Sequence, residues 1–417
     1  VANAGPLTVT LVPDNVQLQE VVAIGYGTMK KSDLTGSVAS VSADQLLKAP
    51  VSGLDQALQG RAAGVTVTSS SGQPGEGATI RIRGIGSALG GNDPLYVVDG
   101  VITGDIKWLS PTDIKSMEIL KDASAAAIYG SRGANGVILI TTKSGGKGKA
   151  NVTFDAYWGL QNRWKKLDLM GSKEMAETKL RIGTMRDGAA EIAYYNQNGF
   201  NEWMSVYNLG TSKYFPVPMT IAHPDGLDYS SINTDWQDEV FHPNAFMHNY
   251  NLSVDGGGEK GHYAFSASYF GQEGTIIGSD YQRFTLRLNS DVQLFKWLTI
   301  GEHLSFVHSS GRNAMNNSSS PGASVISAAL AMAPWDPTHY PEGSVNAQGE
   351  DISGRTPASS NFKNVTNPFS MVNESYPLDK TNRWVGDIYM EIKPVEGLTI
   401  RPSISMDTYL TNHRLFK

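Results

Sequence analysis

The sequence contains no cysteine, which excludes disulfide frameworks, Cys-ligated zinc and cysteine nucleophiles together. It has no excess of positive charge either. The formal net charge is -6, so the electrostatics give no case for nucleic acid. Mean hydropathy is only -0.25 and no run of about 18 apolar residues occurs, so the sequence offers no transmembrane helix. It opens on VANAGPLTVTLV without a basic region followed by an apolar one, so any signal peptide is expected to have been removed or omitted. These absences leave one kind of membrane crossing open, because spanning β-strands hide their apolar half behind a period of two. Glycine is abundant at 44 of 417 residues, and aromatics reach 9%, as in turn-rich β proteins.

Unlike stretches follow one another along the chain. Residues 1–19 hold one strand-like piece, LTVTLV, too little to fold alone. Residues 20–28, EVVAIGYGT, are a short apolar run ending in Gly-Tyr-Gly between the polar PDNVQLQ and MKKSDLTGS. A strand-prone peptide in a linker suits β-augmentation, in which it adds an edge strand to a partner's sheet. Residues 29–149 mix short strands, helical stretches and glycine-rich turns. SADQLLKAPVSGLDQALQGRAAG has a Ser cap, periodic Leu and Ala, and a stop at Gly64. DPLYVVDGVI and NGVILITTKSG read as strands, which makes this stretch a compact α+β domain.

From residue 150 to 417 the strands lengthen to ten residues or more and alternate cleanly. In YQRFTLRLNSDVQL one face carries Phe284, Leu286, Leu288, Val292 and Leu294, and the other carries Thr285, Arg287, Asn289, Asp291 and Gln293. A soluble antiparallel sheet would put the apolar face to a core and the polar face to water. A transmembrane barrel would put the apolar face to lipid and the polar face to a wet lumen.

The connections favour the barrel. Short links near residues 255–259, 295 and 395–397 alternate with long or medium ones over 161–245, 271–280 and 309–381. Outer-membrane barrels have short periplasmic turns on one rim and longer loops on the other. Trp158, Tyr281, Trp297 and Trp384 lie at strand ends, as an aromatic girdle requires. Two residues fit less well. Glu302 falls on the apolar parity of its strand and is expected near a rim or at a bulge; Pro402 cannot donate to a ladder and marks a strand end or an irregular edge.

Catalytic and cofactor motifs are absent in usable form. GIGSALGG misplaces the third glycine of a dinucleotide loop, and GGKGKA lacks the Walker spacing. GEHLSFVH carries Glu302, His303 and His308 on a strand rather than the i, i+4 His pair of a zinc helix. No enzyme activity, cofactor or metal is expected. Aromatic residues crowd the long loops, among them Tyr194, Trp203, Tyr207 and Trp236 in the first and Trp335 and Tyr340 in the second. Most are expected to serve loop packing. Sugar-stacking platforms are the functional reading, and a peptide would use similar surfaces.

LQEVVAIGYGTMKKSDLTGSVASVSADQL, GRAAGVTVTSSSGQPGEGATIRIRGIGSALGGNDPLYVVDGV and DIKSMEILKDASAAAIYGSRGANGVILITTKSG resemble the SusC/RagA family of TonB-dependent outer-membrane transporters. The resemblance is dense from about residue 16 to 147 and weaker through the first barrel strands. It implies an α+β plug inside a transmembrane antiparallel barrel of about 22 strands. Seven strands can be counted here, so the rest of the barrel is expected in further residues or another chain. Residues 1–19 would be the tail of a carboxypeptidase-regulatory-like domain, 20–28 the Ton box and linker, 29–149 the plug, and 150–417 the N-terminal part of the barrel.

Glu20, Val21, Val22, Ala23, Ile24 and Gly25 would form the TonB-binding box, with Ala23 and Ile24 replacing two of the valines common in the family. Arg81 and Arg83 would pair with lumen carboxylates to hold the plug. Gly86, Ser87, Asn92 and Asp93 of the plug, with Trp203 and Trp335 of the loops, are the candidate substrate contacts. The implied partners are TonB with the ExbB–ExbD complex, a SusD-like surface lipoprotein acting as a lid, and outer-membrane lipid. The implied function is import of an oligosaccharide; uptake of peptides or a metal chelate, and a non-transporting structural or adhesive barrel, are the alternatives.

Overall fold

The computed structural model describes residues 21–24, 27–30, 38–47, 51, 53–69, 71–86, 91–175, 178, 197, 221–222, 232–312, 324–340, 342–346, 349–357, 359, 365–373 and 376–416. Residues 1–20 lie outside the described residues, as do Gly25, Ser87 and Trp203. At the N-terminal end, β1 (Val21–Ile24) pairs antiparallel with β2 (Gly27–Lys30).

The plug is built on a five-stranded sheet in the order β3 (Val38–Ser42), β8 (Ile114–Leu120), β9 (Val137–Thr142), β6 (Leu95–Val98) and β7 (Val101–Thr103). The hairpin of β4 (Val65–Ser69) and β5 (Ala78–Ile82) packs beside it. Its core is aliphatic, with Leu46, Leu54, Leu58, Ile80, Leu109, Ile114 and Met117 almost wholly buried. The periodic stretch at 42–64 forms two single-turn helices, Ala43–Leu46 and Leu54–Ala57, instead of a longer one. A proline at position 50 of the sequence disfavours one continuous helix across this stretch.

After the plug a single antiparallel sheet runs in the order β10 (Gly148–Gln161), β12 (Ala245–Gly257), β13 (Gly261–Glu273), β14 (Asp280–Phe295), β15 (Leu298–Arg312) and β17 (Tyr376–Val395). Both β18 (Leu398–Ile400) and β19 (Ser403–Phe416) pair with β17, so these eight ladder strands make seven crossings. Only Arg401 and Pro402 separate β18 from β19, which places the expected irregularity at the proline. The loops contribute one further two-residue ladder, β11 (Ile221–Ala222) with β16 (Val345–Asn346).

The links alternate as expected. Residues 258–260, 296–297 and 396–397 are tight turns, whereas 162–244, 274–279 and 313–375 are longer. The two longest are laced into one unit. Trp236 packs with Val240, Val325, Ala328 and Met332, and its indole N–H donates to the Ala333 carbonyl at 2.9 Å.

The two faces of the long sheet are inverted relative to a soluble protein. On β14 the polar series is buried, with Arg283 4%, Thr285 1%, Arg287 5% and Asn289 3% exposed, while Phe284 and Leu288 are 38% and 39% exposed. Apolar residues turned outward over polar ones turned inward are stable in lipid and costly in water. The polar face is covered by the plug, so the lumen at this depth is filled with protein and not wet. This corrects the expectation for Thr285. Its hydroxyl has no hydrogen-bond partner among the described residues, so Thr285→Val is expected to leave barrel stability unchanged or raise it by up to about 1 kcal/mol. Leu288→Arg on the opposite face is expected to destabilise by about 2–4 kcal/mol near mid-membrane. Urea unfolding in vesicles checks both, and equal losses at the two sites would contradict the face assignment.

Glu302 lies neither at a bulge nor at the rim. Its ladder is regular, pairing Ser290 on one side and Ile388 on the other, and the residue is well inside β15.

Candidate functional site

Three barrel arginines hold the plug. The first, Arg287, projects from the lumen face of β14 beside Asp99, and both side chains are nearly inaccessible at 5% and 6%. Asp99 and Gly100 form the turn between β6 and β7 with φ of 48° and 91°. An Asp-Gly pair with both φ values positive is the type I′ hairpin solution, and here it aims the carboxylate at the barrel wall. Arg287 Nη2 donates to Asp99 Oδ2 at 2.5 Å. The backbone N–H of Thr142 donates to Asp99 Oδ1 at 2.9 Å, and its hydroxyl to Oδ2 at 2.6 Å. From the barrel, Asn289 Nδ2 donates to Thr142 Oγ1 at 2.9 Å and to the Lys143 carbonyl at 2.8 Å.

The second, Arg383 on β17, grips Asp407 of the neighbouring β19 with Nε at 2.9 Å and Nη2 at 2.8 Å. Its Nη1 reaches Asp105 of the plug at 2.7 Å, and Nη2 also donates to Thr103 Oγ1 at 2.7 Å. The guanidinium lies over the rings of Trp108 and Tyr409. The fork of Arg suits this bridging, because it serves two carboxylates without losing its charge. Arg283, four residues before Arg287, donates to the carbonyl of Lys107 and lies over the Phe270 ring. Lighter contacts finish the seal: Gly75 N–H to Gln272 Oε1 at 3.3 Å, and the Tyr157 hydroxyl to the Val51 carbonyl at 3.2 Å.

The polarity of this latch is opposite to the one expected. Arg83 pairs with Asp122 inside the plug and does not reach the barrel. Arg81 sits on β5 without a recorded barrel carboxylate among the described residues. The cations belong to the wall and the acids to the plug. The DG in LYVVDGVI was the available signal for Asp99, since it marks a hairpin turn, and the alternation of β14 already put Arg287 on the lumen face.

Burial works to raise the Asp99 carboxyl, but the Arg287 guanidinium, with His303 and the Thr142 hydrogen bonds, holds it below the ordinary carboxylate range. A depressed folded pKa contributes stability above the unfolded value of about 3.9 and loses it as pH falls through the folded value. Seating of the plug is therefore expected to be constant from pH 7 to about 5 and to weaken below about 4. Protease sensitivity of the plug across that range measures it; release beginning near pH 6 would contradict the role of Asp99.

The candidate substrate contacts divide. Gly86 and Asn92 are joined, the Gly86 N–H donating to Asn92 Oδ1 at 2.9 Å, with Asp93 exposed close by. The Asn135 amide donates to the carbonyls of Gly91 and Asp93 at 2.8 and 3.4 Å, which ties this loop to the 131–136 turn. Trp335 is 2% exposed and Trp236 is 3% exposed, so both serve loop packing and present no ring face to a ligand. This corrects the reading of Trp335 as a substrate contact. Of the residues expected to form a TonB-binding box, Val21–Ile24 form β1, while Glu20 and Gly25 lie outside the described residues.

Residues 30–137 match the family model described as the TonB-dependent Receptor Plug Domain. The chain is 37% identical over 96% of its length to TonB-dependent receptor P26 of Formosa agariphila. It is 32% identical over 94% of its length to TonB-dependent receptor SusC of Bacteroides thetaiotaomicron. It spans 36% of the length of each of these relatives. Among solved structures, the RagAB peptide importer in its open-open state matches 94% of the chain with a TM-score of 0.72 at 26% identity, and the chain covers 42% of that structure's chain.

Proposed function

Since the chain belongs to the SusC/RagA family of TonB-dependent receptors, we propose that it forms the plug and first barrel strands of an active importer of oligosaccharides in the outer membrane. The observation that carries this is the charged latch between plug and wall. Two barrel arginines hold plug carboxylates through a few polar contacts, a seat that is tight at rest and made of bonds that force can break in turn.

In this reading residues 1–19 are a domain tail, 20–28 the Ton box and linker, 29–149 the plug and 150–417 the N-terminal part of the barrel. The plug and N-terminus face the periplasm, so the short turns lie on that rim and loops 161–245 and 309–381 face outward. TonB with ExbB–ExbD grips residues 20–25. A SusD-like lipoprotein caps the outer loops, and ligand lies between that lid and the plug segment carrying Gly86, Ser87, Asn92 and Asp93.

A second reading, peptide import, has a specific observation in its favour: the solved structures that match over nearly the whole chain include one described as a peptide importer. Uptake of labelled oligosaccharides and labelled peptides by cells carrying the receptor and its neighbouring lipoprotein tests both. Oligosaccharide accumulation that stops on dissipating the proton gradient supports the first reading; peptide accumulation alone replaces it with the second. Cross-linking that puts residues 161–245 in the periplasm would overturn the topology.

A further inference from the structure

On four neighbouring strands the lipid-facing series turns from apolar to polar within one ladder step. The border falls between Phe284 and Gln282 on β14, Phe306 and His308 on β15, Trp384 and Asn382 on β17, and Leu410 and Asn412 on β19. Beyond it Gln282, Ser310, Lys380 and Asn412 are successive ladder partners and form one polar row, on the rim from which the longer links leave. Lys380 stands in that row, and Arg414 stands diagonally across from it, opposite Leu378. Diagonal neighbours are about 7–8 Å apart, so two long side chains there can meet on one group. Neither cation has an ion pair among the described residues, and the nearby acids are already engaged. Asp280 pairs with Arg312, Glu273 accepts the Phe246 N–H, and Asp379 bonds His413 on the lumen face.

Below the two cations lies a groove of about 680 Å³, walled by Leu286, Leu304, Phe306, Trp384, Met390 and Met406. Its origin is a missing side chain. Gly386 stands across from Leu304 and Met406, and an added Cβ would fall 2.1 Å from the His303 carbonyl oxygen, so only glycine fits. Along β17 the groove runs from Trp384 to Met390, and Lys380 lies two lipid-facing positions above Trp384. Six residues are about 20 Å along the strand and about 15 Å along the membrane normal at the usual tilt, the depth of one leaflet.

We propose that these residues form a site for a phosphomonoester lipid, with the phosphate on Lys380 and Arg414 and one acyl chain in the groove over Gly386. The phosphate then lies at the membrane surface and the chain in the hydrocarbon, each at the depth its chemistry requires. Two cations match the charge of a phosphomonoester, about -1.5 to -2 near pH 7. A diester phosphate carries a single charge and leaves one cation over. Asn382, between Lys380 and Trp384, adds a donor: its Oδ1 is bonded to His308 Nδ1 at 2.7 Å, which leaves the amide N–H groups for the headgroup.

The site rests on the membrane reading of the sheet. The test uses the whole receptor in phosphatidylcholine vesicles doped with one brominated-chain lipid: phosphatidic acid, phosphatidylglycerol or phosphatidylcholine itself. The Trp384 signal is read as wild type minus Trp384→Phe. Phosphatidic acid is expected to quench Trp384 at about tenfold lower mole fraction than phosphatidylcholine, with phosphatidylglycerol between them. In the double variant Lys380→Gln with Arg414→Gln, which keeps the groove, the three lipids should quench alike. Equal quenching by phosphatidic acid and phosphatidylcholine in the wild type, or a preference that survives the double variant, would overturn the site. Phosphatidylglycerol as effective as phosphatidic acid would overturn the phosphomonoester. Trp384 shielded from all three, as under a second protein, would overturn the lipid as occupant. Heat-modifiable migration of the folded barrel from the same vesicles shows whether a failure lies in the site or in the membrane reading.

Discussion

Deletion of residues 20–25 is expected to abolish energised uptake while the receptor still assembles and still binds its ligand. The plug sheet β3-β8-β9-β6-β7 closes without them, and the barrel ladder begins far downstream at β10. What the deletion removes is a strand that a partner's sheet can extend through main-chain hydrogen bonds. Substitutions that keep extension, such as Val22→Ile, should therefore be silent, whereas Val22→Pro removes a donor and should mimic the deletion. The measurement is growth on the transported ligand, with surface binding and heat-modifiability recorded in the same cells. Loss of the assembled barrel would sink this assignment, because the segment would then be part of the fold.

Arg287→Ala should be the most destabilising single change at the plug–wall boundary. It leaves Asp99 only 6% exposed with its counter-charge gone. Removing one partner of a buried pair costs about 3–5 kcal/mol, most of it for the charge left behind. The double variant Arg287→Met with Asp99→Asn should recover most of that loss, since neither member is then charged. Arg383→Ala should cost less, as Asp105 is 44% exposed and can turn to water, and Asp407, at 17%, keeps the hydrogen bond from the Thr103 hydroxyl. Urea-induced exposure of the plug to protease ranks the variants. A double variant as weak as the single one would show that packing by the Arg287 stem, and not charge, holds the plug.

The barrel strands were legible because a half-buried sheet writes its faces into alternate residues. Phe284 to Leu294 named one face and Thr285 to Gln293 the other, and the tight turns named one rim. Pro402 likewise announced the break between β18 and β19. What alternation does not encode is the occupant of the polar side. Arg287 reads the same whether water or a plug carboxylate faces it, so the direction of the ion pairs was lost and Arg83 was placed against the wrong partner. Trp335 shows the same limit in the loops, where an exposed ring and a buried one have the same composition. Glu302 marks another gap, for its neighbour Ser290 comes from a strand paired only in three dimensions.

The hairpin of β1 and β2 also has a mechanical side. Val21 pairs with Lys30 and Ile24 with Gly27, so the chain enters and leaves at the same open end. A pull on the incoming strand therefore loads the ladder one pair at a time, as a zipper opens, and never all pairs in shear. Once opened, residues 21–30 drawn straight reach roughly 33 Å. That slack means that a pull applied at Val21 travels this distance before any tension arrives at β3.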